Sequence, residues 1–228
     1  MENIKFKMVG RIFCDLHKAF DCINHTLLLE KLKFYGVLGR FYNLVKSYLR
    51  GRYQKVTLGS NSSIESTWEE IKQGVPQGSI LGTIFFLIYI NDLPYLAPID
   101  TKILLYEDDT SIIVTSPNLE NFETKIRKLF EDINKWFQAN QLTLNYNKTN
   151  YLQFTNKNSS DENLKLHYQG NEVKSTLNTK FLEVIIDDCL SWKAHIDQTA
   201  SKLNTPCFTI RTIQAIMSPE TLRMVYFA

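Results

Sequence analysis

Apolar and polar positions change their period along this chain, and the changes mark its elements. Residues 9–16 read as a strand that ends at Asp15. Residues 26–50 read as helical, with breaks near Gly36 and Gly39. Apolar alternation in 53–58 and 67–72 predicts a hairpin across the polar turn Gly59-Ser60-Asn61-Ser62-Ser63. A helix is predicted after Gly78. Its run Ile84-Phe85-Phe86-Leu87-Ile88-Tyr89-Ile90 is the most apolar of the chain, so residues 79–90 are expected to be buried. Seven residues ending at Asn91-Asp92 fall far short of the roughly 20 that span a bilayer. Strands at 102–106 and 111–115 flank an aspartate pair. Ser116-Pro117-Asn118 then offers a cap and a first-turn proline for an amphipathic helix reaching about Asn140, and a strand follows at 150–155. The polar patch Asn156-Lys157-Asn158-Ser159-Ser160-Asp161-Glu162-Asn163 predicts a division into a main body, 1–155, and a C-terminal extension, 156–228.

Without its insertions the order is β-α-β-β-α-β, an α+β fold with a ferredoxin-like, split βαβ core. That topology sets the first and third strands side by side at the centre. Asp15 would then lie beside the hairpin that carries Asp108.

Composition adds limits. A chain of 228 residues, 44% hydrophobic and 22% charged, can bury a sizeable core. A net charge of +2 argues against nucleic-acid binding by overall charge, although Lys46, Arg50, Arg52 and Lys55 form a local basic cluster. The ordinary reading of that cluster is a solvated helix end. Cys14, Cys22, Cys189 and Cys207 lack close paired spacing, so neither a zinc knuckle nor a disulfide framework is supported, and a reducing compartment suits them. The N-terminus shows no signal-peptide pattern. An intracellular protein, in nucleus or cytoplasm and away from membranes, is expected.

The chemistry gathers at Tyr106-Glu107-Asp108-Asp109, with Asp15 at the end of the earlier strand. Aspartates on rigid strands can fix two magnesium ions roughly 3.5–4 Å apart, as phosphoryl transfer requires. An Asp-Asp pair between strands is also ordinary turn chemistry. The wider chain bears on that choice. Ile12-Phe13-Cys14-Asp15-Leu16-His17-Lys18-Ala19-Phe20-Asp21, then Gln73-Gly74-Val75-Pro76-Gln77-Gly78-Ser79-Ile80-Leu81-Gly82, then Tyr106-Glu107-Asp108-Asp109, resemble the ordered motifs of a reverse transcriptase. Leu142-Thr143-Leu144-Asn145-Tyr146-Asn147-Lys148-Thr149 and Lys180-Phe181-Leu182-Glu183-Val184-Ile185-Ile186-Asp187 resemble the next two. The wording is closest to polymerases of non-LTR, LINE- or jockey-type retrotransposons, and the resemblance covers residues 9 to 213.

The resemblance implies an RNA-directed DNA polymerase palm with partial fingers and the start of a thumb. Its implied ligands are magnesium, or manganese in its place, an RNA or DNA template with primer, and deoxynucleoside triphosphates. Asp15 and Asp108 become metal ligands, Asp109 a looser third, and the Leu16 carbonyl a further oxygen. Phe20 matches the steric gate against a ribose 2′-hydroxyl, its alternative being a core phenylalanine. Pro76, Gln77 and Gly78 are suited to contacting nucleotide and template, Gly82 to close packing, and Tyr106 to lining the substrate. Lys148 falls where the family places a cation near the leaving pyrophosphate, and a surface lysine is its alternative. Phe181-Leu182-Glu183-Val184 resembles a primer-gripping hairpin. Trp192, His195 and Ile196 begin a helix resembling the start of a thumb, and their ordinary reading is core packing. Asp21 and His25 are read as capping and starting the first helix.

Two positions depart from the pattern. The family has a small residue where Glu107 stands, and glutamate brings negative charge to a turn that receives a triphosphate. The family's glycine in the primer-grip motif is here Glu183, where backbone strain is expected. Met1 stands only fourteen residues before Asp15, which leaves no room for the upstream finger motifs, and Ala228 falls barely into a thumb. A palm-centred, truncated copy with impaired activity is therefore expected. The rival from another class is an inactive palm that binds nucleic acid or protein; a metal-dependent phosphatase or nuclease would leave Phe20 and Pro76-Gln77-Gly78 unexplained.

Overall fold

The computed structural model describes residues 8–58, 64–154, 166–168 and 171–227. The predicted turn 59–63 and the polar loop 156–163 lie outside the described residues. The chain divides into two compact units, one of residues 1–151 with 161–175, the other of residues 152–160 with 176–228. Residues 161–175 group with the first unit because of a strand pairing described below.

In the first unit, strand β1 (Met8–Cys14) leads through the Asp15–Ile23 segment into helix α1 (His25–Phe34). Asn24 caps α1, its side chain accepting from the amides of Thr26 and Leu27, while His25 is the first helical residue. Asp21 does not cap the helix, contrary to expectation; its carboxylate is taken by Gln77. The helical stretch breaks as predicted, because Gly36 adopts φ +83°, a conformation that costs other residues strain. Helix α2 (Gly39–Leu49) resumes it.

The predicted hairpin is present as two short ladders. Strand β2 (Tyr53–Gln54) precedes β3 (Thr57–Leu58), β4 (Ile64–Glu65) and β5 (Glu69–Glu70); β3 pairs with β4, and β2 with β5.

Helix α3 (Ile80–Ile90) follows, capped by the Ser79 hydroxyl on the Gly82 amide at 3.0 Å. Its burial is one-sided. Phe85, Phe86, Tyr89 and Ile90 are buried, whereas Ile80, Ile84 and Leu87, spaced at i, i+4 and i+7, face outward. The expectation of a wholly buried helix is corrected accordingly. Lys31 ties α1 to the end of α3, its Nζ donating to the Tyr89 carbonyl and to Asp92 at 2.6 Å each.

Strands β6 (Thr101–Tyr106) and β7 (Asp109–Ser116) form a tight hairpin with Glu107-Asp108 as its two-residue turn. Helix α4 (Leu119–Ala139) is capped by the Asn118 side chain on the Asn121 amide, so Pro117 precedes the cap instead of occupying the first turn. Its buried residues Phe122, Ile126, Leu129, Phe130, Ile133 and Phe137 follow the helical period, each contributing about 2 kcal/mol by burial. Strand β8 (Asn150–Phe154) completes the predicted set, and β9 (Leu166–Tyr168) and β10 (Asn171–Ser175) extend it. The sheet order is β6-β7-β1-β8-β10-β9. Its first four strands are the split βαβ core, with β1 and β7 central and antiparallel from Met8↔Ser116 to Cys14↔Thr110. Parallel pairing of β10 with β8 (Lys174↔Asn150) joins residues 171–175 to this sheet.

In the second unit, β11 (Asn178–Phe181) and β12 (Val184–Asp187) form a hairpin, followed by α5 (Lys193–Ile213) and α6 (Pro219–Phe227). Leu182 and Glu183 make its turn with φ +48° and +65°. The expected strain at Glu183 therefore falls on a left-handed residue, and the Lys180 ammonium pairs with its carboxylate at 2.7 Å. The core-packing reading of the α5 start is corrected, since Trp192 is 48% and Ile196 60% exposed.

Candidate active site

The ends of β1 and β7 carry the acidic residues. The β1–β7 ladder ends at Cys14↔Thr110, so Asp15 and Asp109 are the next residues on its two sides beyond it. Tyr106, 58% exposed, pairs with Asp109 across the turn, and Asp108 stands at the tip. Part-burial, then the negative charges of Asp108, Asp15 and Glu107, raise the Asp109 carboxyl above the ordinary range. Glu107 has φ +50°, at a turn position that favours glycine.

Residues 143–145 brace the other side of Asp15. The Asn145 amide donates to the Asp15 carbonyl at 2.8 Å and the His17 amide to the Thr143 carbonyl at 2.9 Å. These two bonds flank Leu16, which bridges Leu144 without spending its own carbonyl, so that oxygen faces the β7 side. The Asn145 carbonyl also accepts from the amides of Lys148 and Thr149 and from the buried Thr149 hydroxyl. This turn holds Lys148 with its Nζ 3.9 Å from Asp15 Oδ2, although the lysine side chain is 69% exposed. Asn145 and Thr149 were not singled out as position-setting residues in sequence; their spacing across a short polar turn is the signal that could have found them.

A second cluster adjoins the first along the chain. The Val75 amide donates to the Phe20 carbonyl at 2.9 Å, and Gln77 Nε2 to Asp21 Oδ1 at 3.3 Å. The Phe20 ring stacks on buried Phe86 of α3, centroids 4.9 Å apart, while staying half-buried itself. It is thus packed on one face and only partly covered overall. His25 Nε2 meets the Gly74 carbonyl at 2.8 Å, fixing the segment before Pro76. A Cβ on Gly82 would come within 2.2 Å of the Pro76 carbonyl oxygen, so its expected packing role holds. Gly78, at φ +76°, has open space over its α carbon.

The basic cluster separates. Lys55 is neutralised by Glu65 at 2.7 Å, whereas Arg52 lines a cleft and its guanidinium lies over the Tyr48 ring. All four cysteines are free, and burial pushes the Cys14 thiol up to about 12. Among the described residues no helix is long and apolar enough to cross a membrane.

Aspartate oxygens and a backbone carbonyl are the hard donors that magnesium and manganese prefer; Asp109 is raised first by part-burial and then by its neighbours' negative charges, and the second cause is of the kind a divalent ion relieves. Among the described residues no three His, Cys, Asp or Glu side chains form a group that could hold a metal ion.

Residues 7–186 match the family described as reverse transcriptase (RNA-dependent DNA polymerase). The chain is 28% identical over 209 residues to the RNA-directed DNA polymerase from mobile element jockey of Drosophila funebris, covering 88% of this chain and 22% of that protein. It is 27% identical over 224 residues to the probable RNA-directed DNA polymerase from transposon BS of Drosophila melanogaster, covering 93% and 24%. The chain thus spans about a quarter or less of the length of these relatives. Among solved structures, apo telomerase from Candida tropicalis truncated from its C-terminal domain superposes with a TM-score of 0.53 at 17% identity, over 84% of this chain and 36% of that one. That likeness is one of fold, and it agrees with a polymerase palm. With the ordered motifs placed on that fold and the family match spanning most of the chain, this protein belongs to the reverse transcriptase family.

Proposed function

We propose that this chain carries out RNA-directed DNA synthesis, transferring deoxynucleotides from their triphosphates to a primer on an RNA or DNA template. The observation that carries the reading is the crowding of Asp15, Asp108 and Asp109 at the ends of two central strands, beside Lys148. Asp15 and Asp108 would hold two divalent ions, magnesium or manganese, with Asp109 and the Leu16 carbonyl as further oxygens. When bound, such ions supply activation of the primer 3′-hydroxyl and stabilisation of charge on the triphosphate. Lys148 places a positive charge where pyrophosphate departs. Phe20, backed by Phe86 and partly exposed, would stand against a ribose 2′-hydroxyl. Pro76, Gln77 and Gly78 offer amide and backbone groups to nucleotide and template, and Tyr106 flanks the aspartates. The free cysteines suit such work in nucleus or cytoplasm.

Extension of a labelled primer by the purified chain, with magnesium or manganese, tests the reading. Activity abolished by Asp108→Asn supports it; primer degradation in its place points to a nuclease.

A second reading is an inactive palm that binds nucleic acid or protein. Glu107 favours it, since its carboxylate adds to the charge that raises Asp109. Template binding with no extension under either metal would select it.

A further inference from the structure

Asn24, not Asp21, caps α1, and the Asp21 carboxylate is engaged by another part of the chain. Its Oδ1 accepts from Gln77 Nε2 at 3.3 Å, across 56 positions of sequence. Lys18, Arg52 and Lys72 line the same cleft, yet among the described residues none of them forms an ion pair with Asp21. The carboxylate is thus spent on a neutral amide although cations line the cleft.

The backbone beneath these two side chains is fixed on both sides. The Asp21 amide closes a turn onto the Lys18 carbonyl at 2.9 Å. The Gly74 amide donates to the Ile23 carbonyl at 2.8 Å and the Val75 amide to the Phe20 carbonyl at 2.9 Å, while His25 Nε2 meets the Gly74 carbonyl. Gly74, at φ +83°, lies so close that a Cβ on it would stand 2.9 Å from both the Cα and the carbonyl oxygen of Asp21. What these contacts leave open is the Gln77 side chain, which is long, exposed and loses rotamer freedom in any contact it makes. A carboxylate only accepts, so the end of the amide facing Asp21 must be its nitrogen. Oε1 is then the end that Gln77 has free to accept.

We propose that Asp21 is a positioning residue for Gln77: its hold on Nε2 orders the amide in advance, with Oε1 presented to a hydrogen-bond donor of the incoming nucleotide. The inference rests on the polymerase reading for the identity of that ligand. Ordering the amide beforehand lowers the entropy cost of nucleotide binding and leaves the chemical step alone, so the role belongs to KM and not to kcat. The negative charge of Asp21 by itself acts the other way, repelling a triphosphate. A loss of affinity when it is removed therefore marks the hold on Gln77.

The test is equilibrium binding of a deoxynucleoside triphosphate with magnesium, together with primer extension, on the full chain. Asp21→Ala should weaken nucleotide binding and raise KM about threefold to fivefold, the range of an exposed charged contact, with kcat nearly unchanged. In a Gln77→Ala background the same substitution should cause no further loss. Gln77→Glu alone sets two carboxylates together. Adding Asp21→Asn to it should recover more affinity than adding Asp21→Ala, which removes the same charge without offering a donor to the glutamate. Unchanged or tighter nucleotide binding in Asp21→Ala overturns the inference, as do equal losses with and without the Gln77 amide, or asparagine no better than alanine beside Gln77→Glu. Coupling of the two residues in nucleotide binding by a chain that never extends a primer sinks the polymerase reading alone. Extension without coupling sinks the positioning role alone, and a parent chain that binds no nucleotide sinks both.

Discussion

Lys148 Nζ stands 3.9 Å from Asp15 Oδ2, so the lysine expected near the leaving group faces a metal-ligand candidate. The pair is solvent-screened, and its attraction is about 1 kcal/mol or less. On the proposed reading, a divalent ion at Asp15 would displace it and free Lys148 for a departing pyrophosphate. Lys148→Met should tighten manganese binding about threefold, the fold-change expected for a screened pair, and slow primer extension at saturating metal. Manganese affinity by electron paramagnetic resonance checks the first part. Weaker manganese binding in the variant would show that Lys148 supports the ion site instead of competing for it.

Glu107 combines two defects that separate by substitution. Its carboxylate adds negative charge beside Asp108 and Asp109, and its backbone is left-handed at φ +50°. Glu107→Ala removes the charge and keeps the strain; Glu107→Gly removes both. Both variants should bind nucleotide more tightly than the parent, and the glycine variant should exceed the alanine variant in stability by about 1 kcal/mol. Denaturant melts and nucleotide titration at saturating magnesium read the two effects. Equal stability of the two variants would mean that the turn relaxes out of the left-handed region.

Much of this arrangement was legible because its signals are local or fixed by topology. The β-α-β-β-α-β order sufficed to set β1 beside β7, and the apolar runs ending at Asp15 and beginning after Asp109 brought the acids together. Other features depended on residues far apart in the chain. In sequence Asp21 is expected to cap the first helix, yet the helix begins at His25 with Asn24 as its cap, and Asp21 is bonded by Gln77, 56 positions away. Helix α3 is so uniformly apolar that its pattern cannot say which side meets the core; Phe86 turns inward only because Phe20 and its neighbours are there to receive it. Trp192 and Ile196 have apolar side chains yet stand exposed, which no periodicity within α5 reveals.

Gly82 tests the link between α3 and the 76–78 segment. A methyl at this position meets the Pro76 carbonyl oxygen at 2.2 Å, backbone that cannot rotate away, and the Ser79 hydroxyl that caps the helix at 2.9 Å. Gly82→Ala should cost about 1–3 kcal/mol through overpacking and shift Pro76 and Gln77. Extension should fall more than at Gly78→Ala, whose α carbon has open space above it although its φ of +76° still adds strain. Thermal melts of both variants, with extension assayed well below either midpoint, distinguish displacement from unfolding. A Gly82→Ala chain with parental stability would refute the close contact.

Asp109 links metal, pH and stability. Its carboxyl is raised by part-burial and by the charges of Asp108, Asp15 and Glu107, so the folded chain holds this proton at pH values where the unfolded chain has lost it. Between the ordinary carboxylate value of 3.8 and the raised one, the native state binds more protons than the unfolded state. Stability then falls as pH rises through that window, and the penalty persists at neutral pH. A metal-free chain should therefore gain stability at pH 7 on Asp109→Asn, and lose the part of its pH dependence that this residue causes. Magnesium should recover the same stability in the parent by offsetting the crowded charges, and recover less in the asparagine variant. Denaturant melts at pH 4 to 7, with and without magnesium, give the comparison. If Asp109→Asn destabilised the metal-free chain at pH 7, the carboxylate would be making a favourable contact that outweighs its neighbours' repulsion, and the ion-binding role of the cluster would lose its electrostatic support.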